Sequence, residues 1–150
     1  LLSLNIHCMF ASYINYPAVL VSAIAAMIIG SLWYGPLFGK QWMAMMGISK
    51  PSMDAAAKQA MMKSYGLMFV GSLVMACVLA HNLVYGSSYL HLTGWNAGFQ
   101  VGFWNWLGFV APVTLGSVLW EKKSWSLWVL NNGYYVITLI VMGSILALWQ

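Results

Sequence analysis

The charged side chains of this 150-residue chain fall into two short segments, and that confinement limits its fold more than any motif does. Lys40, Lys50, Asp54, Lys58 and Lys63 lie in one segment; Glu121, Lys122 and Lys123 lie in the other. Four stretches are left without charge, roughly 15–36, 65–85, 95–119 and 126–149. Each is close to or beyond the ~20 apolar residues that a helix needs to cross a bilayer. Only 5% of the residues are charged and 62% are hydrophobic, whereas a soluble domain carries about a quarter charged residues. The expected fold class is therefore all-α: a polytopic membrane protein in which residues 1–150 form a single domain of four transmembrane helices in two hairpins.

Topology follows from where the lysines sit. The 37–64 and 120–125 connections hold all of them, and the 86–94 connection, "GSSYLHLTG", holds none. Lysine-bearing loops stay on the cytoplasmic side, so both termini are expected on the other face. The net charge of +4 then reflects orientation and does not point to nucleic acid. The absence of Arg also removes the side chain best suited to bidentate phosphate contacts. "IIGSLWYGPLFGKQW" (28–42) reads as a membrane exit, in which Trp33, Tyr34 and Trp42 sit at headgroup level, Lys40 fixes the side and Gly35-Pro36 ends or bends the helix. Trp120, Lys122, Lys123 and Trp125 are the matching anchors at the second loop. The expected location is a multi-pass position in a bacterial cytoplasmic or inner membrane, or in a eukaryotic membrane. The lipid bilayer is then the first partner.

The long first connection predicts a helix start of its own. Ser52 can cap it, Asp54 suits its positive end, and Asp54 with Lys58 forms an i, i+4 pair. A helix from 52 to 84 would be about 50 Å long, so its first turns project from the bilayer or lie on it. The amino-terminal "LLSLNIHCMFASYI" lacks a basic region and reads as an ordered segment or an extension of the first helix.

Lipid supplies little drive for helices to associate, so small residues that allow close approach must carry the packing. Ala18, Ser22, Ala26 and Gly30 form such a stripe on the first span, and Ser72, Ala76 and Ala80 on the second. Gly94, Gly98 and Gly102 open the third, and Gly143 and Ala147 mark the fourth. These stripes predict a compact bundle, or one stripe, the third, turned outward to form an oligomer. A weak internal echo accompanies them: "GSLW" (30–33) resembles "GSVLW" (116–120), and "VGSLVMA" (70–76) resembles "MGSILAL" (142–148).

Candidate chemistry is sparse. No span contains a charge, which argues against a proton relay or a voltage sensor. Gln100, Asn105 and Asn131 could line a path for a polar solute, or they could bond between helices. Pro112 removes one backbone bond from the third span and predicts a kink. His7, His81 and His91 fall on the extracytoplasmic side near Cys8, but their spacing carries no metal signature, and no metal or other cofactor is expected. Cys8 and Cys77 could form at most one bridge. Two carboxylates, both in loops, leave no acid–base pair in a pocket, so an enzyme is not expected.

The stretches "NYPAVLVSAIAAMIIGSLWYGPLFGKQWM" (15–43), "KSYGLMFVGSLVMACVLAH" (63–81) and "GFWNWLGFVAPVTLGSVLWEKKSWSLWVLNNGYYVITLIVMGSILALW" (102–149) resemble the domain of unknown function 1761 family. The resemblance implies a four-span helical membrane protein and no particular activity or site. The expected function is a non-enzymatic membrane protein acting through helix packing, as a homo-oligomer or an accessory subunit of a larger membrane complex. The alternative is a small pore or carrier for a neutral or weakly polar solute.

Overall fold

The computed structural model describes residues 14–48 and 55–149. His7, Cys8 and the Ser52–Asp54 helix start lie outside the described residues. The described elements are helical throughout: α1 (Tyr16–Leu32), a π-helical turn (Trp33–Leu37), α2 (Gly39–Met46), α3 (Ala55–Leu90), α4 (Gly94–Asn105), a second π-helical turn (Trp106–Val110), α5 (Ala111–Leu119) and α6 (Trp125–Leu148). Four segments are long and apolar enough to cross a membrane: Tyr16–Leu37, Lys58–Ser87, Gly94–Leu119 and Trp125–Leu148.

Local chemistry sets the boundaries. Asn15 caps α1 by accepting the Ala18 amide at 3.2 Å, and Pro17 occupies the first turn, where no amide is needed. Ser124 caps α6 in the same way, through the Leu127 amide. The uncharged connection is shorter than expected. "GSSYL" contains no proline, the His91 amide still donates to Ser87, and α3 continues to Leu90 for 36 residues. At the standard rise that is about 54 Å.

The two prolines are absorbed by the π turns. A proline ring crowds the carbonyl four residues earlier and cannot donate to it. Widening the turn by one residue relieves both problems. In the first, the Phe38 amide reaches back five residues to the Trp33 carbonyl at 2.9 Å, with Pro36 inside the turn. The second lies immediately before Pro112, which enters α5 in its first turn.

α1 and α4 both pack on α6, and α3 packs on all three. At one end of the bundle the Asn15 amide donates to the Trp149 carbonyl. At the other, the Trp33 indole donates to the Leu130 carbonyl, so the two lysine-bearing connections share an end. The core is built mainly of small and aliphatic groups, among them Ala18, Ala26, Ala76, Ala80, Leu83, Leu139 and Met142.

Gly98 and Gly102 stand directly against α6. A Cβ on Gly98 would lie 2.5 Å from the Gly143 carbonyl oxygen, and one on Gly102 2.5 Å from that of Leu139. A Cβ on Gly143 would in turn meet Gly98. Ser22 donates to the Met142 carbonyl at 3.4 Å, and Ser72, Ala76 and Ala80 are buried. Gly30 faces the Tyr134 ring, and Ala147 is half-buried against the core. Gly94 does not share this packing: the space where its Cβ would sit is open, and its φ of +58° makes it the entry turn of α4.

Candidate functional site

Several polar groups of the bundle converge on one segment of α6, from Leu127 to Tyr135. Asn132 is its centre. Its side-chain oxygen accepts from the Trp106 indole at 3.0 Å, while its amide donates to the Thr114 hydroxyl at 3.1 Å and the Trp128 carbonyl at 3.0 Å. Thr114 in turn donates to the Val110 carbonyl at 2.8 Å. One buried amide therefore holds both sides of the break in the third span, Trp106 before it and Thr114 after it.

Asn131, its neighbour, turns to the other broken span. Its side-chain oxygen accepts from the Tyr34 hydroxyl at 3.0 Å. Trp33 packs its indole over Gly133, and Tyr34 meets the ring edges of Tyr134 and Trp42 at 5.1 and 5.7 Å. Trp33 and Tyr34, read from sequence as headgroup anchors, are thus half-buried and bonded across the bundle, because the π turn carries them onto α6. Trp120 and Trp125 do face outward, and Lys40 and Lys122 are exposed. Lys123 pairs with Glu121 at 3.0 Å.

The residues considered for a solute path separate. Gln100 and Asn105 line an open cleft of about 270 Å³ between α3 and α4. There the Asn82 amide donates to Asn105 at 2.9 Å, and Asn105 donates to the Val101 carbonyl. Asn131 lines a different cleft, of about 430 Å³, between α5 and α6, with Thr114, Ser117, Glu121, Lys123 and Tyr135. Trp128 also lines it, and its indole nitrogen is buried without a hydrogen-bond partner. This second cleft is the more polar, and it opens at the loop end of the bundle.

The histidines do not gather. His81 is bonded to its own helix, 2.7 Å from the Cys77 carbonyl, and His91 is exposed in the turn after α3. Among the described residues, no three His, Cys, Asp or Glu side chains are grouped as a metal ion would require. Cys77 is a free thiol.

Sequence reasoning missed Asn132, Thr114 and Trp106 as a unit. A signal was available: Trp33-Tyr34-Gly35 and Trp106-Leu107-Gly108 share a Trp-x-Gly pattern at the start of each π turn, close to Pro36 and Pro112. The echo noted from sequence paired Trp33 with Trp120, whereas it is Trp106 that shares Trp33's position and its donation to α6.

No curated protein and no solved structure matches the chain. A family match does cover residues 17–147, from the first turn of α1 to the last of α6, and so includes both π turns and the asparagine pair. The chain therefore belongs to the DUF1761 family, proteins of unknown function.

Proposed function

We propose that this protein is a non-enzymatic integral membrane protein that works through helix packing, as a homo-oligomer or as an accessory subunit of a larger membrane assembly. One observation carries the reading: every described side chain from Lys58 to Met68 on α3 is exposed. Met61, Met62, Tyr65, Leu67 and Met68 make much of that surface apolar. Phe69 lies beside Ile28 and Leu32 at the end of α1, so the preceding turns run on past the bundle. At 24 residues, α6 is about 36 Å long, some 18 Å shorter than α3. Apolar surface held out this way gains from a protein partner wherever it clears the hydrocarbon.

The small-residue faces do not offer the same opportunity, because Gly98, Gly102 and Gly143 are spent inside one chain. A pore or carrier built on Gln100, Asn105 and Asn131 would need one cavity, and these residues line two. The lysine-bearing end is placed on the cytoplasmic side by the charge rule. The mass of the protein in mild detergent and in lipid nanodiscs tests the proposal. A multiple of the chain mass, or a stoichiometric companion, is expected; a lone chain in both settings would overturn it.

A further inference from the structure

The two halves of the third span are held to α6 very unevenly. In α4 the contact is backbone against backbone: a Cβ on Gly98 or Gly102 would lie 2.5 Å from a carbonyl oxygen of α6. In α5 only the first residue, Ala111, is buried, and Val113 and Leu119 are 75% and 55% exposed. The cleft of about 430 Å³ lies between the rest of α5 and α6. Among the described residues, the Asn132–Thr114 pair, at 3.1 Å, is the one side-chain hydrogen-bonded contact from α5 across to α6.

The backbone leaves regular geometry at both ends of α5. At the near end, the Ala111 amide reaches the Trp106 carbonyl, five residues back, and Pro112 has no amide to give the Gly108 carbonyl. The space where a Cβ on Gly108 would sit is open. At the far end, in the loop to α6, Lys122 has a φ of +57°, a left-handed conformation that an L side chain adopts only at a cost. A short regular helix between two such joints turns as one piece, since hinges concentrate their φ/ψ change in a few residues at the ends of elements. We propose that α5 is a hinged arm. It pivots about the π turn while α4 stays clamped to α6, the Asn132–Thr114 bond is its latch, and its position sets the width of the cleft at the loop end of the bundle. Opening the latch disturbs little else: Asn132 keeps Trp106 and the Trp128 carbonyl, and the Thr114 hydroxyl keeps the Val110 carbonyl. The inference rests on the packing of this chain and not on any partner along α3.

Double electron–electron resonance in lipid nanodiscs tests it, with spin labels at the exposed Leu119 and Ile137 in a chain whose Cys8 and Cys77 are Ser. A second pair, at Trp95 and Ile137, reports the clamped half. The nine residues of α5 make an arm about 13 Å long, so a swing of about 20° carries Leu119 by about 5 Å. Thr114→Val should shift or split the Leu119–Ile137 distance by about that much and leave the Trp95–Ile137 distance in place. Thr114→Ser, which keeps the hydroxyl, should retain the native distance. Lys122→Val puts a β-branched residue where the left-handed turn disfavours it, loosens the far joint, and carries the same test if Thr114→Val fails to fold. An unmoved Leu119–Ile137 distance in the folded variant, equal movement of both pairs, or the same shift in Thr114→Ser would overturn the proposal.

Discussion

The Trp106 indole donates to the Asn132 side-chain oxygen at 3.0 Å, joining the third span to the fourth where the third leaves regular α geometry. The same asparagine reaches Thr114 beyond the break. A single side chain on an unbroken helix thus fixes the geometry of a broken one. The adjacent Asn131 does comparable work for Tyr34 in the first π turn.

Replacing Asn132 by Leu keeps the approximate volume and orphans the Trp106 indole and one Thr114 contact. Hydrogen bonds inside membranes are worth about 0.6 kcal/mol on average and up to about 1.7, and abandoned buried donors add to the loss. The expected destabilisation is about 1–3 kcal/mol, read as a shift in an unfolding titration in mixed micelles.

Tyr34→Phe and Asn131→Leu should each cost less, about 0.5–1 kcal/mol, because the site is only half-buried. Their double-mutant cycle should return a coupling of similar size. Independent, additive effects would mean that the Tyr34–Asn131 bond does not hold the first π turn.

Helix contact at Gly98 leaves no room for a methyl group. Gly98→Ala is expected to lose about 1–3 kcal/mol through forced separation of α4 and α6. Gly71 on α3 faces open space, so Gly71→Ala should be neutral or gain up to about 1 kcal/mol from helix propensity. Thermal aggregation temperatures of the two variants should move in opposite directions, or only the first should move.

Much of the architecture was legible because charge is expensive in lipid: two lysine-bearing segments were enough to place four spans and both loop ends. Pro36 and Pro112 likewise announced where two spans would deviate. The azimuth of each side chain was not legible. A π turn inserts an extra residue, so the face predicted by i, i+4 spacing on one side of it does not continue on the other. Asn105, before the turn, meets Asn82 on α3, while Trp106, at its start, meets Asn132 on α6. Trp33 and Tyr34 likewise carry the composition of an interfacial belt, and they are half-buried against α6. The overhang of α3 was visible as a helix too long for its bilayer, but its lack of cover within the chain required the packing of α1, α4 and α6 to be known.

Orientation has its own test. Single cysteines at Met46 and Glu121, in a background where Cys8 and Cys77 are Ser, should both be protected from a membrane-impermeant maleimide in intact cells and labelled after the membrane is opened. Labelling of the two positions from different sides would contradict the shared loop end shown by the Trp33–Leu130 bond.

In-membrane crosslinking along α3 tests the helix-packing role. With a photoreactive residue at Leu67, 74% exposed on the overhang, irradiation of native membranes should give one discrete adduct, of twice the chain mass or of the chain plus one partner. The same residue at Val78, 53% exposed about three turns farther along α3, should give markedly less. Lipid-only adducts at Leu67, with the chain remaining at its single mass, would contradict a protein that acts through helix packing with others.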